Sequence, residues 1–94
     1  MEPSGVGGMA GDEEMSARIL EILRRVAESD EVLHNPNLRL YDSGLLDSLG
    51  TVNLMAALAD ELGVEVSPAE LDRDAWATPR LLTADVLRRM AARR

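Results

Sequence analysis

Few residues in this sequence are equipped for covalent chemistry. Cysteine is absent and His34 is the only imidazole, so a thiolate nucleophile, a cysteine-rich zinc site and a Cys-His couple are all out of reach. Asp72 and Asp74 lack the glycine and the ligand spacing of a calcium loop and read as solvated charges. The glycines of residues 1–11 have no strand before them and no Lys after them, which leaves a phosphate-cradling P-loop unsupported. No metal site is expected. What stands out is Ser48 in Gly44-Leu45-Leu46-Asp47-Ser48-Leu49, at the mouth of an apolar helical stretch with an acid before it and a large aliphatic after it. A hydroxyl placed there projects toward solvent, and a phosphodiester formed on it would sit near free backbone amides and the favourable end of the helix dipole. The plainer role for the same serine is a helix N-cap, which Asp47 is equally able to fill.

The elements that must position Ser48 follow from periodicity and punctuation. The chain has 94 residues, a net charge of −7 and 46% hydrophobic residues with only Trp76 and Tyr41 as aromatics, which implies one domain with a small aliphatic core. Residues 1–11 hold little large apolar surface and are expected to form a flexible tail ahead of a domain over 12–94. Met15, Ile19, Ile22, Leu23 and Val26 recur at helical spacing, which predicts a first helix from about Asp12 to Ala27. Residues 28–44 lack sustained periodicity and read as a long loop whose Leu38, Leu40 and Tyr41 anchor onto the core. The second helix starts at Asp47 or Ser48, follows the stripe Leu49, Val52, Met55, Leu58 and Leu62, and stops at Gly63, with Val64 as the apolar contact of a glycine-terminated end. Ser67-Pro68-Ala69-Glu70 marks the start of a short third helix. Thr78-Pro79 opens a closing helix with Leu82, Val86, Leu87 and Met90 on its apolar face. The expected fold class is therefore all-α, a four-helix bundle with a long first loop and a short third helix.

Asp47-Ser48-Leu49 resembles the attachment motif of the acyl and peptidyl carrier proteins, and the four-helix plan agrees with that family. A longer stretch, Tyr41-Asp42-Ser43-Gly44-Leu45-Leu46-Asp47-Ser48-Leu49-Gly50-Thr51-Val52, is similar to the D-alanyl carrier branch of the family. So is Leu71-Asp72-Arg73-Asp74-Ala75-Trp76-Ala77-Thr78-Pro79, with its Asp-Arg pair, its Trp and its Thr-Pro before the last helix. The resemblance covers about residues 38–82. Leu71 stands where that branch has an aromatic and Tyr41 where it has Phe. Carriers of fatty acid synthesis usually bear several acids along the second helix, whereas here no charge follows Asp47 until Asp60 and Glu61.

The resemblance implies 4′-phosphopantetheine, covalently attached from coenzyme A at Ser48, with Asp47 and Leu49 beside it. Asp47 either caps the helix or presents its carboxylate to a basic transferase. Leu46, Leu49 and Val52 match positions flanking the arm, although helical spacing places Leu49 and Val52 in the core first. Leu46, Gly50, Thr51 and Asn53 are the expected partner-facing positions, with Gly50, Thr51, Asn53 and Ala57 on the solvent side of the helix. Trp76 is expected to fill space between a loop and the core.

Function follows as a stand-alone aminoacyl carrier, not itself an enzyme, in D-alanyl-type or natural-product biosynthesis. Its implied partners are a phosphopantetheinyl transferase, an ATP-dependent adenylating ligase and a downstream acyltransferase or condensing enzyme. An acyl carrier of polyketide or fatty acid assembly is the alternative, and an unmodified helical interaction module a further one. The acidic balance disfavours nucleic acid. Residues 1–14 have no signal-peptide pattern, and the longest uncharged run, the twelve residues Ser48 to Ala59, is too short to span a membrane. A cytoplasmic monomer is expected. Charge is divided along the chain: residues 1–78 hold sixteen acids and five Arg, net −11, and residues 79–94 hold one acid and five Arg, net +4.

Overall fold

The computed structural model describes the backbone of residues 4–92 and the side chains of residues 12–92. The elements in chain order are α1 (Ser4–Ala27), α2 (Glu31–His34), α3 (Ser48–Leu62), a 3₁₀ turn (Arg73–Trp76) and α4 (Pro79–Ala92). No strand occurs among the described residues. Helix α1 packs against α2, α3 and α4, and α4 packs against the 3₁₀ turn. The core joins Ile19, Ile22 and Leu23 of α1, Leu40 and Leu46 of the first loop, Leu54, Met55 and Leu58 of α3, and Leu82 and Val86 of α4. Trp76 is its one aromatic. This is the expected all-helical bundle.

Helix α1 begins at Ser4, ahead of the Asp12 expected. An i to i+4 backbone ladder needs no side chain, so a helix nucleated on the apolar stripe can run back through glycines at about 1 kcal/mol each. Residues 1–3 of the expected tail lie outside the described residues. The first loop is not free of helix, since Glu31–His34 form one turn that buries Val32.

Ser67-Pro68 does not start a helix. Ser67 Oγ accepts from the Ala69 N–H at 3.3 Å and its carbonyl from the Glu70 N–H at 2.9 Å, which closes a single turn. The short third element lies further on, where Asp72 accepts from the Asp74 N–H at 3.0 Å and opens the 3₁₀ turn. The capping signal in the sequence is genuine, but residues 68–70 are exposed and offer no apolar face to extend it.

The predicted stops hold. Gly63 takes φ +69 and donates to the Ala59 carbonyl, and the following Val64 is fully buried. At the start of α4, Thr78 Oγ1 accepts from the Leu81 N–H at 3.2 Å, leaving Pro79 at the first helical position where no donor is required.

The face that α3 turns inward differs from the predicted stripe. Thr51, Leu54, Met55 and Leu58 are buried, while Leu49 is 70% exposed and Val52 55% exposed. Each residue turns an α-helix by about 100°, so Thr51, Leu54, Met55 and Leu58 share an arc of about 100°. Leu49 lies about 170° from the centre of that arc and Val52 about 110°. A run of consecutive i+3 steps winds around a helix and cannot stay on one face.

Candidate functional site

Ser48 is the first residue of α3, and the loop before it is held at several points. Gly44 takes φ +83, a left-handed conformation that side chains rarely adopt, and its N–H donates to the Tyr41 carbonyl at 3.1 Å. Past that turn the Leu46 N–H reaches back to the Leu40 carbonyl at 3.0 Å, and both leucine side chains are buried. Asp47 then adopts extended backbone at φ −127 and its Oδ1 accepts from the Gly50 N–H at 2.7 Å. Asp47 is thus the N-cap, and Ser48 is freed from that role. Gly50 suits the close approach, since a Cβ there would lie 3.2 Å from both Asp47 Oδ1 and Leu46 Cδ1.

Thr51 links the loop to the helix. Its hydroxyl donates to the Asp47 carbonyl at 2.7 Å and lies 2.9 Å from the Tyr41 hydroxyl. With Thr51's single hydroxyl hydrogen committed, Tyr41 donates to Thr51. The half-buried Tyr41 ring in turn supports Arg73, whose guanidinium carbon lies 4.8 Å from the ring centroid. Arg73 Nη2 donates to Ser48 Oγ at 2.8 Å. Five residues from three segments, Tyr41, Asp47, Ser48, Thr51 and Arg73, therefore form one connected set ending at an exposed hydroxyl.

The expected site residues divide accordingly. Ser48, Asp47 and Leu49 are exposed side by side. Leu49 and Val52 face solvent, not the core, so the apolar positions beside Ser48 are available to contact. Of the partner-facing set, Asn53 is exposed and Gly50 half-buried, but Leu46 is 2% exposed and Thr51 5% exposed. Leu46 packs into the core to hold the loop, and Thr51 spends its hydroxyl on Asp47 and Tyr41. Neither presents a side chain to a partner. Beside Val52 a shallow apolar recess of about 320 Å³ runs along Met55, Ala56, Ala59 and Val66 to Pro68.

Arg73 was not among the expected site residues. It lies 25 positions from Ser48 in sequence, and the Asp-Arg-Asp run around it has the look of ordinary surface charge. Asp85 was also missed: it is buried, and its Oδ2 accepts from Trp76 Nε1 at 2.9 Å. Burial pushes the Asp85 carboxyl up, but the hydrogen bonds from Arg89 and Trp76 and the charges of Arg89 and Arg88 outweigh it and hold the group below its ordinary value.

Chemically, Ser48 offers an exposed nucleophilic oxygen beside a cation and at the positive end of a 15-residue helix. Among the described residues no side-chain base is hydrogen-bonded to it, and His34 ends the distant α2. The surroundings suit a group joined through phosphate, which needs a free hydroxyl, a positive field and room.

Comparison with known proteins agrees on this region. The family model described as "Phosphopantetheine attachment site" matches residues 17–86. The D-alanyl carrier protein of Listeria monocytogenes strain EGD-e is 47% identical over 64 residues, 68% of this chain and 82% of the relative. That of Lacticaseibacillus casei is 43% identical over 75 residues, 80% of this chain and 93% of the relative. That of Bacillus velezensis is 41% identical over 66 residues, covering 70% and 85%.

Proposed function

The chain belongs to the phosphopantetheine-attachment family of carrier proteins, and from that premise we propose that Ser48 is its attachment residue and D-alanine its cargo. The observation that carries the assignment is the exposed Ser48 hydroxyl, relieved of capping by Asp47 and held at 2.8 Å by Arg73. When bound, the group supplies a thiol on a flexible arm, which carries an aminoacyl unit as a thioester and raises its local concentration for partner enzymes. The protein contributes tethering and presentation, not catalysis.

In loading, Ser48 Oγ attacks the phosphorus on the pantetheine side of coenzyme A's pyrophosphate. A Ser–O–P bond forms, the P–O bond to adenosine 3′,5′-bisphosphate breaks, and the hydroxyl proton passes to a base. With no side-chain base on Ser48 among the described residues, that base belongs to the phosphopantetheinyl transferase. The exposed face of α3, with Leu49, Val52, Asn53 and Ala56, is the surface for the transferase, an adenylating ligase and a downstream acyltransferase. Recognition there rests on shape and apolar contact more than on charge. No described helix is long and apolar enough to cross a membrane. In this reading residues 12–94 are the carrier domain, residues 1–11 lie outside it, and the protein works as a cytoplasmic monomer.

Incubation with coenzyme A and a broad-specificity transferase, followed by intact-mass measurement, tests the attachment residue. One phosphopantetheine should be added to the wild type and none to Ser48→Ala; an unmodified wild type beside a modified control carrier overturns the reading. Loading the product with a D-alanine-activating ligase tests the cargo. Acceptance of malonyl groups alone would assign an acyl carrier instead.

A further inference from the structure

The arginines with described side chains are not used alike. Arg24, Arg25, Arg39, Arg88 and Arg89 each pair with a carboxylate. Arg18, Arg73 and Arg80 make no ion pair among the described residues, and of these three only Arg73, flanked by Asp72 and Asp74, donates to another side chain. Asp72 Oδ1 accepts from the Asp74 N–H at 3.0 Å. Arg73 instead lies on Tyr41 and donates one N–H to a neutral hydroxyl. That contact leaves most of the donors of its planar fork, and all of its charge, without an anionic partner among the described residues. Its position is nonetheless restrained, since Tyr41 is itself held through Thr51 to the first turn of α3.

We propose that Arg73 is the counter-ion of the phosphodiester that Ser48 acquires: the guanidinium that holds the free hydroxyl pairs with the phosphate oxygens once the group is attached. This rests on Ser48 being the attachment residue. A phosphodiester carries one full negative charge at neutral pH, and its charged oxygens are two bonds from the Oγ atom that Arg73 already contacts. Hydrogen bonds from a guanidinium to such an anion are roughly twice as strong as neutral ones. A cation is favourable there, because attachment sets a second anion beside the Asp47 carboxylate, which is committed to capping α3. Pairing with Arg73 restrains the root of the arm while its thiol end stays free, so that partners meet the arm leaving the surface beside Leu49 in a preferred direction.

The test is ³¹P NMR of the attached protein, with intact mass confirming complete attachment and circular dichroism confirming the fold. Wild type, Arg73→Ala, Arg73→Lys and the control Arg80→Ala are compared at low and high salt. The wild-type resonance is expected to move as salt screens the pair. Arg73→Ala should already sit near the high-salt position and lose most of the salt response, Arg73→Lys should retain part of it, and Arg80→Ala should match wild type. Arg73→Gln, which keeps a donor without the charge, serves the same test if the alanine variant loses its fold. A folded, fully attached Arg73→Ala or Arg73→Gln protein whose resonance and salt response coincide with wild type overturns the counter-ion assignment and leaves the Ser48 reading standing. A wild type that gains no mass overturns the Ser48 reading, and this inference with it.

Discussion

The two ends of the 3₁₀ turn Arg73–Trp76 enter different networks. At its start, Arg73 reaches out over Tyr41 to an exposed hydroxyl at 2.8 Å. At its end, Trp76 is fully buried and donates to Asp85, which also accepts from Arg89 Nε at 2.7 Å and Arg88 Nη2 at 2.5 Å. In the second network the buried Trp76 N–H and both oxygens of the Asp85 carboxylate have partners, which holds the turn on α4. In the first a guanidinium charge is left without an anion at the surface, where water makes that tolerable and a phosphate can use it. A buried carboxylate met on both oxygens holds the fold together, whereas a guanidinium that meets only a neutral hydroxyl is open to an anion. The turn couples the two, because Trp76 in the core sets where Arg73 can reach.

The most complete effect expected is Ser48→Ala. It should abolish phosphopantetheine attachment while changing stability by less than about 0.5 kcal/mol, since Asp47 provides the cap and Ser48 is an exposed surface position. Denaturant unfolding beside intact-mass analysis checks both halves, and a loss of stability as large as a cap deletion would show that Ser48 is structural after all.

Asp85→Ala should do the reverse. Leaving the buried Trp76 N–H without its acceptor is expected to cost about 1–3 kcal/mol, while the folded protein is still modified at Ser48. The same network has a pH signature. Asp85 is held below its ordinary value of 3.8, so its stabilisation is fully present above that pH and is lost as the pH falls through the lower folded value. Between those limits wild type should lose stability more steeply than Asp85→Asn, which thermal melts at a series of acid pH values would reveal; parallel curves would show that the pairing contributes nothing.

Asp47→Ala tests the boundary between the networks. Loss of the cap should cost about 0.5–2 kcal/mol, and Asp47→Ser should recover most of it. Attachment should slow in Asp47→Ala and recover in Asp47→Ser if the carboxylate acts only as a cap; failure to recover would mean that its charge is read by the transferase. The smallest expected effect is that of Leu49→Ala, within about 0.5 kcal/mol of wild-type stability because the side chain is 70% exposed. Attachment or ligase loading should nevertheless fall, and an unchanged rate with both enzymes would remove Leu49 from the partner surface.

Much of the fold was legible because its signals are local. The Gly63 stop, the buried Val64, the Thr78-Pro79 start and the stripe of Ile19, Ile22 and Leu23 each follow from residues within about one turn of one another. Expectation failed where the outcome depended on what a segment packs against. Ser67-Pro68 has a sound capping pattern, yet a single turn formed there because no apolar face continued it. Leu49 and Val52 were placed inward by counting i+3 steps, whereas the angular arc of Thr51, Leu54, Met55 and Leu58 would have predicted the observed face and, with it, the burial of Thr51. That correction needed only helix geometry. Arg73 and Asp85 were different: the Asp-Arg pair before Trp76 marked Arg73 as part of a resemblance but gave it no role, and no local pattern distinguishes Asp85 from the other charged residues of the chain.

By itself, then, the sequence determined the main helices around the stripes of α1, α3 and α4, the stop at Gly63, and that Ser48 stands at the entrance of α3 with no cysteine in the chain to rival it, because capping, glycine conformations and helical periodicity act over a few residues. Only the tertiary structure decided which cation faces that serine and which acid is buried. Those outcomes depend on contacts between segments far apart in the chain, and such contacts exist only once the core has brought α1, α3, α4 and the 3₁₀ turn together.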